Sequence, residues 1–86
     1  PSVFPRQDGS FLVEGRTLIY ELNQYFQQEI IQNNVNKYTT ISGFFLSRLN
    51  EMPKAGDIVE YGGYKFEIMD IDGVRIDKIL MTPIPD

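Results

Sequence analysis

Asp8–Arg16 reads DGSFLVEGR, and Met52–Asp57 reads MPKAGD. Both stretches are punctuation. Asp8-Gly9 is a turn signal, and Ser10–Glu14 then alternates, with Phe11 and Val13 on one face and Leu12 and Glu14 on the other. Gly15 ends that strand. At the second stretch Pro53 and Gly56 stop a helix and turn the chain, and from Asp57 the apolar period changes from helical to two.

Two helices are predicted between these marks. Thr17 is read as an N-cap, followed by a helix over Leu18–Phe26 with helical or loose structure up to Ile31. Ile19, Leu22 and Phe26 fall on its apolar stripe, while Glu21, Asn23 and Gln24 look outward. Gln32–Tyr38 reads as an asparagine-rich loop. Thr39 or Thr40 caps a second helix over Ile41–Glu51, with Ile41, Phe44, Phe45 and Leu49 on one stripe. Gly43 lies inside this helix at a cost of about 1 kcal/mol relative to alanine, which predicts close approach of the helix to a sheet.

Beyond MPKAGD, Ile58–Tyr61, Tyr64–Ile71 and Val74–Met81 read as strands, joined by two-residue turns at Gly62-Gly63 and Asp72-Gly73. Phe66, Ile68, Ile76 and Leu80 are expected to face the helices. The alternation slips near Asp70 and again near Ile79, which predicts a bulge. Pro83 and Pro85 terminate the sheet. The predicted fold is α+β: a two-layer sandwich of two short helices on a mixed or antiparallel sheet of about four strands. The division along the chain is a lead-in or edge strand over 1–7, a single domain over 8–82 and a tail over 83–86.

Composition narrows the chemistry. The 86 residues make one small domain, of which 42% are hydrophobic and 13% aromatic, as in folded soluble proteins. There is no cysteine, histidine or tryptophan. Disulfides and thiolate metal sites are therefore excluded, and the commonest general base and metal ligand is missing. Net charge is −4 and the eight basic residues are scattered, which argues against nucleic acid and against electrostatic docking on anionic lipid. No apolar run approaches the roughly 20 residues that cross a bilayer. Pro1 stands where an initiator methionine would, which predicts a piece of a longer protein.

No residue is assigned a catalytic role, and none is assigned to a cofactor or a metal. Asp70-Ile71-Asp72-Gly73 resembles part of a calcium loop, but Ile68 and Ile79 occupy the positions of the first aspartate and the bidentate glutamate. A loose surface divalent cation on Asp70, Asp72 or Asp77 is the form of cation binding left open. Glu60 and Glu67 lie on neighbouring strands, as surface charges do. Ser10, Ser42 and Ser47 have no histidine to activate them. Tyr20, Tyr25, Tyr38, Tyr61 and Tyr64 are read mainly as rim and cross-strand residues, with stacking on a planar ligand as the alternative.

The ordered string is itself informative. DGSFLVEGRT, Glu21-Leu22-Asn23, Tyr38-x-Thr40-x-x-Gly43, Leu49-Asn50-x-Met52-Pro53-x-x-Gly56-Asp57, Gly63-Tyr64-x-Phe66-x-Ile68 and Asp72-x-x-x-Ile76 together resemble the CorC/HlyC transporter-associated domain over roughly Asp8–Met81. The resemblance implies a non-catalytic regulatory module on the cytoplasmic face of the bacterial inner membrane. Its partners would be the CBS-pair and transmembrane domains of a parent magnesium and cobalt efflux or hemolysin-like protein. It also implies FAD or an adenine nucleotide as the candidate cofactor. Exposed sheet edges and many surface aromatics give a homodimer as a further alternative role. The family often carries acidic residues ahead of the tyrosine before the second helix. Here the segment is Asn34-Val35-Asn36-Lys37-Tyr38, which argues against a cation role for that loop.

Overall fold

The computed structural model describes residues 2–33 and 37–86; Asn34, Val35 and Asn36 of the asparagine-rich loop lie outside the described residues. In chain order the elements are β1 (Val3–Pro5), β2 (Phe11–Glu14), α1 (Ile19–Phe26), α2 (Ile41–Ser47), β3 (Ile58–Tyr61), β4 (Tyr64–Asp72) and β5 (Arg75–Pro83). The strands form one open sheet in the order β1-β2-β5-β4-β3. Every neighbouring pair is antiparallel. Val3–Pro5 pairs with β2, so the sheet has five strands where about four were expected. The turn that joins them is closed by Asp8, whose carboxylate accepts from the Ser10 hydroxyl at 2.6 Å and the Ser10 amide at 3.0 Å. Those bonds hold the Asp8 carboxyl below its ordinary range.

The meander follows from its glycines. Gly62 and Gly63 have φ of +62° and +86° between the paired Tyr61 and Tyr64, as a type I′ turn requires. The second turn is displaced by one residue from expectation. Asp72 pairs with Arg75, so the turn residues are Gly73 and Val74. Gly73 has φ +63°, and Gln27 is the one non-glycine with positive φ among the described residues, which gives the sign pattern of type II′.

The irregularity near Asp70 is a compensated pair of bulges. Ile68 pairs with Ile79 and Asp70 with Lys78, leaving Met69 extra on β4. Asp70 then pairs with Lys78 and Ile71 with Ile76, leaving Asp77 extra on β5. The second irregularity therefore falls at Asp77, with Ile79 regularly paired. Its consequence is a change of parity. Ile76 faces the core, and the inserted Asp77 shifts the inward positions to Ile79 and Met81, both buried. Leu80, expected inside, is half-buried on the opposite face. The sheet also ends later than expected: β5 runs through Pro83, and the Ile84 amide still donates to the Gly63 carbonyl at 2.9 Å.

Both helices cover one sheet face. Leu18 is the N-cap of α1, and its amide donates to the Glu21 carboxylate at 3.1 Å. Thr17, expected in that role, is buried with its hydroxyl unpartnered, because its carbonyl and amide are committed to Ile41 and Glu14 instead. α1 ends at Phe26, where Gln27 adopts a left-handed conformation, short of a continuation to Ile31. Asn23 does not simply look outward. Its carboxamide oxygen accepts from the Ile30 and Ile31 amides at 2.9 and 3.2 Å, and its nitrogen donates to the Ile31 carbonyl at 2.9 Å. This clamp seats Ile30 and Ile31, both buried. Asn23→Ala is expected to cost about 1–3 kcal/mol by leaving those amides unpaired, read as a lower urea midpoint at unchanged slope; an unchanged midpoint would reject the clamp.

α2 begins as expected, with the Thr40 hydroxyl accepting from the Gly43 amide at 3.0 Å. It stops at Ser47, four residues before Glu51. There the Ser47 hydroxyl donates to the Phe44 carbonyl at 2.6 Å, and the Arg48 and Leu49 amides make tightened bonds to Phe45 and Leu46. The tight turn folds Leu49 back onto the core. The packing reason given to Gly43 also changes: a Cβ there would lie 3.2 Å from the Tyr38 Cβ and 3.3 Å from the Thr40 hydroxyl, on the chain entering its own helix and away from the sheet.

Candidate functional site

A cleft of about 680 Å³ opens at the end of the sheet where β2, the β4–β5 hairpin and the start of α2 meet. Each wall has a local cause. β2 ends at Gly15, where the chain passes tightly against β5, and the Gly15 amide donates to the Asp77 carbonyl at 2.9 Å. The start of α2 is tied to the same point, the Ser42 amide donating to the Gly15 carbonyl at 2.9 Å. The paired bulges place Asp70 and Asp77 on the third wall.

The cleft is charged with both signs. Glu14, Asp70 and Asp77 line it together with Arg16, Arg75 and Lys78, and Ser42 stands among them. Arg75 is the organising cation: its Nε donates to Asp77 at 2.9 Å and its terminal nitrogen to Asp72 at 3.1 Å. The hydrogen bond and charge of Asp77, with the charge of Asp72, hold the guanidinium above its ordinary range. Arg16 approaches Glu14 more loosely at 3.4 Å. These pairs are exposed and worth little individually. Among the described residues no three carboxylates converge as a metal cage. A cation here would be held by one or two carboxylates and its own water, the manner in which magnesium is commonly bound.

Of the three aspartates singled out in the sequence, Asp70 and Asp77 reach the cleft. Asp72 stands at the hairpin tip on Arg75. Glu60 and Glu67 do not form a pair: Glu60 stands opposite Lys65, and Glu67 opposite Ile58 and Leu80. Ser10 is spent on Asp8 and Ser47 on the Phe44 carbonyl. The tyrosines are occupied too. Tyr38 packs edge-on to Phe44 at 5.5 Å, Tyr61 takes the Arg48 guanidinium at 5.1 Å, and Tyr64 tilts on Phe26 at 5.7 Å. Tyr25 packs on Phe26 and Phe11, and Tyr20 accepts from Gln24. Arg75 and Arg16 were not singled out in the sequence, and Ser42 was weighed there only as a nucleophile without a base. The Arg75-x-Asp77 spacing puts both on one strand two apart, which was a usable signal; Arg16 and Ser42 join through tertiary contacts alone.

The family model for the CorC/HlyC transporter-associated domain matches residues 4–85. The chain belongs to that family. The transporter-associated domain is 38% identical over 82 residues to a polyamine export protein of Escherichia coli K12, covering 95% of this chain and 18% of that protein. It is 34% identical over 87 residues to a UPF0053 protein of Synechocystis, covering 100% of this chain and 19% of that protein. It thus spans about a fifth of the length of the curated relatives it matches. Among solved structures, the transporter-associated domain of a Xylella fastidiosa Temecula1 hemolysin, in complex with Mg++ and Mn++, superposes with a TM-score of 0.84 at 34% identity, covering 99% of this chain and 100% of that one. Among the described residues of the domain, no helix is long and apolar enough to cross a membrane.

Proposed function

We infer that this domain is a non-catalytic regulatory module of a membrane cation exporter, and that it works on the cytoplasmic face, where cargo accumulates before export. Divalent cations, magnesium and cobalt among them, are the cargo class of the leading reading, and the end-of-sheet cleft is where the module senses them. The observation that carries it is the cleft's two carboxylates, exposed Asp70 and half-buried Asp77, beside a counter-ion that can be displaced. The relative solved with Mg++ and Mn++ supports a divalent cation. The polyamine export relatives support a second reading, in which an organic polycation takes the same carboxylates.

Titration of the isolated domain with Mn²⁺, Mg²⁺, Co²⁺ and spermidine, followed by amide NMR, tests both readings. Mn²⁺ is expected to broaden Asp70 and Asp77 selectively, with Asp70→Asn/Asp77→Asn weakening the effect about fivefold, near 1 kcal/mol. Spermidine shifts in place of Mn²⁺ broadening would favour the polyamine reading. Selective shifts with FAD or ATP alone would replace both with a nucleotide sensor.

A further inference from the structure

The β4–β5 hairpin outruns its neighbours in the sheet. β2 ends its pairing with β5 at Glu14 and Lys78, and β3 ends its pairing with β4 at Ile58 and Glu67. The last backbone bonds to either side are those of Asp77 with Gly15 and of Ile68 with Gly56 and Asp57. Past them, among the described residues, the hairpin is a two-stranded ribbon. Ile71 and Ile76 anchor its base on the core, while Asp72, Gly73, Val74 and Arg75 are all exposed. Ribbons of two strands are marginal by themselves and twist readily, so a side-chain tie across the tip matters.

Arg75 is that tie. It gives its Nε to Asp77 in the cleft wall at 2.9 Å and a terminal nitrogen to Asp72 across the turn at 3.1 Å. The planar guanidinium is suited to holding two carboxylates at once. The charge of Asp70 reaches it as well. All three aspartates of the hairpin therefore act on one cation.

We propose that Arg75 is a tethered counter-ion that a cation entering the cleft displaces from Asp77, and that its release also frees Asp72, so that cation binding loosens the hairpin tip. This rests on the reading of the cleft as a cation site and adds the regulation of that site. Like charge imposes the exchange: a multivalent cation and a guanidinium on one carboxylate repel at contact distance, where water screens incompletely. The strap is also weak enough to give up. The Arg75 side chain is 71% exposed, so it swings into water without losing a buried environment. The half-buried Asp77 stays with the bound cation.

The domain alone is a suitable sample, because the related solved chain is this one domain end to end. NMR follows it through titrations with Mg²⁺ and with spermidine. In the wild type the Arg75 Nε signal is expected to shift with the Asp70 and Asp77 amides at one common dissociation constant. Amide relaxation is expected to show Gly73 and Val74 gaining fast motion as the site fills. Arg75→Gln removes the strap. Its tip is expected to be mobile before any cation is added, and it is expected to bind about fivefold more tightly. Lys78→Gln is the matched control. It takes the same charge from the cleft, but the Lys78 ammonium makes no ion pair among the described residues. It is expected to keep the tip as rigid as in the wild type. Cation shifts at Asp70 and Asp77 with Arg75 Nε and the tip unmoved would overturn the exchange and leave the cation reading standing. So would an Arg75→Gln tip as rigid as the wild type, or an affinity no higher than that of Lys78→Gln. Shifts at neither aspartate with either cation would remove the cation reading itself, and the exchange with it.

Discussion

Gly15→Ala is expected to lower the thermal midpoint by roughly 10–20 °C, from a loss near 3 kcal/mol. A Cβ on Gly15 would collide with the Ile76 carbonyl oxygen and lie 2.9 Å from its carbon. Both are backbone atoms of β5, the strand at the centre of the sheet, so no flexible end can give way. The cost is steric, because Gly15 is not among the glycines of positive φ. Two other glycines separate this cause from its rivals. Gly9 has φ +89° and open space around it, so Gly9→Ala reports strain alone, about 1 kcal/mol. Gly43→Ala gains about 1 kcal/mol of helix propensity against contacts at 3.2 and 3.3 Å, and is expected near neutral. Differential scanning calorimetry of the three variants settles the order. A Gly15→Ala midpoint within a few degrees of wild type would mean that β2 and β5 do not approach as described.

What was legible in the sequence was local. Gly62-Gly63 needs only its own two positive φ angles, and Thr40 needs only the first turn of its helix. What was not legible was set by partners far along the chain. Leu80 and Ile79 exchange faces because Asp77 is bulged out of register with β4 while β2 stays in step, and no window on β5 alone contains that information. Asn23 looks like a surface residue until Ile30 and Ile31 return to it seven and eight residues later. The cleft follows the same rule. Asp70 and Asp77 stood out as acids, but their meeting with Glu14 and Ser42 depends on Gly15 letting three elements converge. The open sheet face was half legible: Leu12 and Glu14 alternate on β2, while the outward place of Leu80 required the bulge.

The second large effect is expected at Phe44. Phe44→Ala should cost about 3–5 kcal/mol, a large part of the roughly 4–13 kcal/mol available to a domain of this size. Phe44 is fully buried and joins the two layers. From α2 its ring meets Tyr61 of β3 at 5.1 Å, Phe66 of β4 at 5.7 Å and Tyr38 ahead of α2 at 5.5 Å, all edge-on. Truncation removes the buried area and strands three aromatic edges around one void. Phe44→Leu fills most of that void and is expected to cost about 1–2 kcal/mol. Urea unfolding of both variants measures the difference. If Phe44→Ala moves the midpoint no further than Phe44→Leu, the aromatic cluster is not what fastens helix to sheet. The same experiment bears on function. Tyr38 was the ring most open to a role in stacking on a planar ligand, and it is engaged with Phe44, as is Tyr61. A ligand that drew either ring away would have to offset part of the stability that Phe44→Ala removes, which sets a measurable cost on any nucleotide site built there.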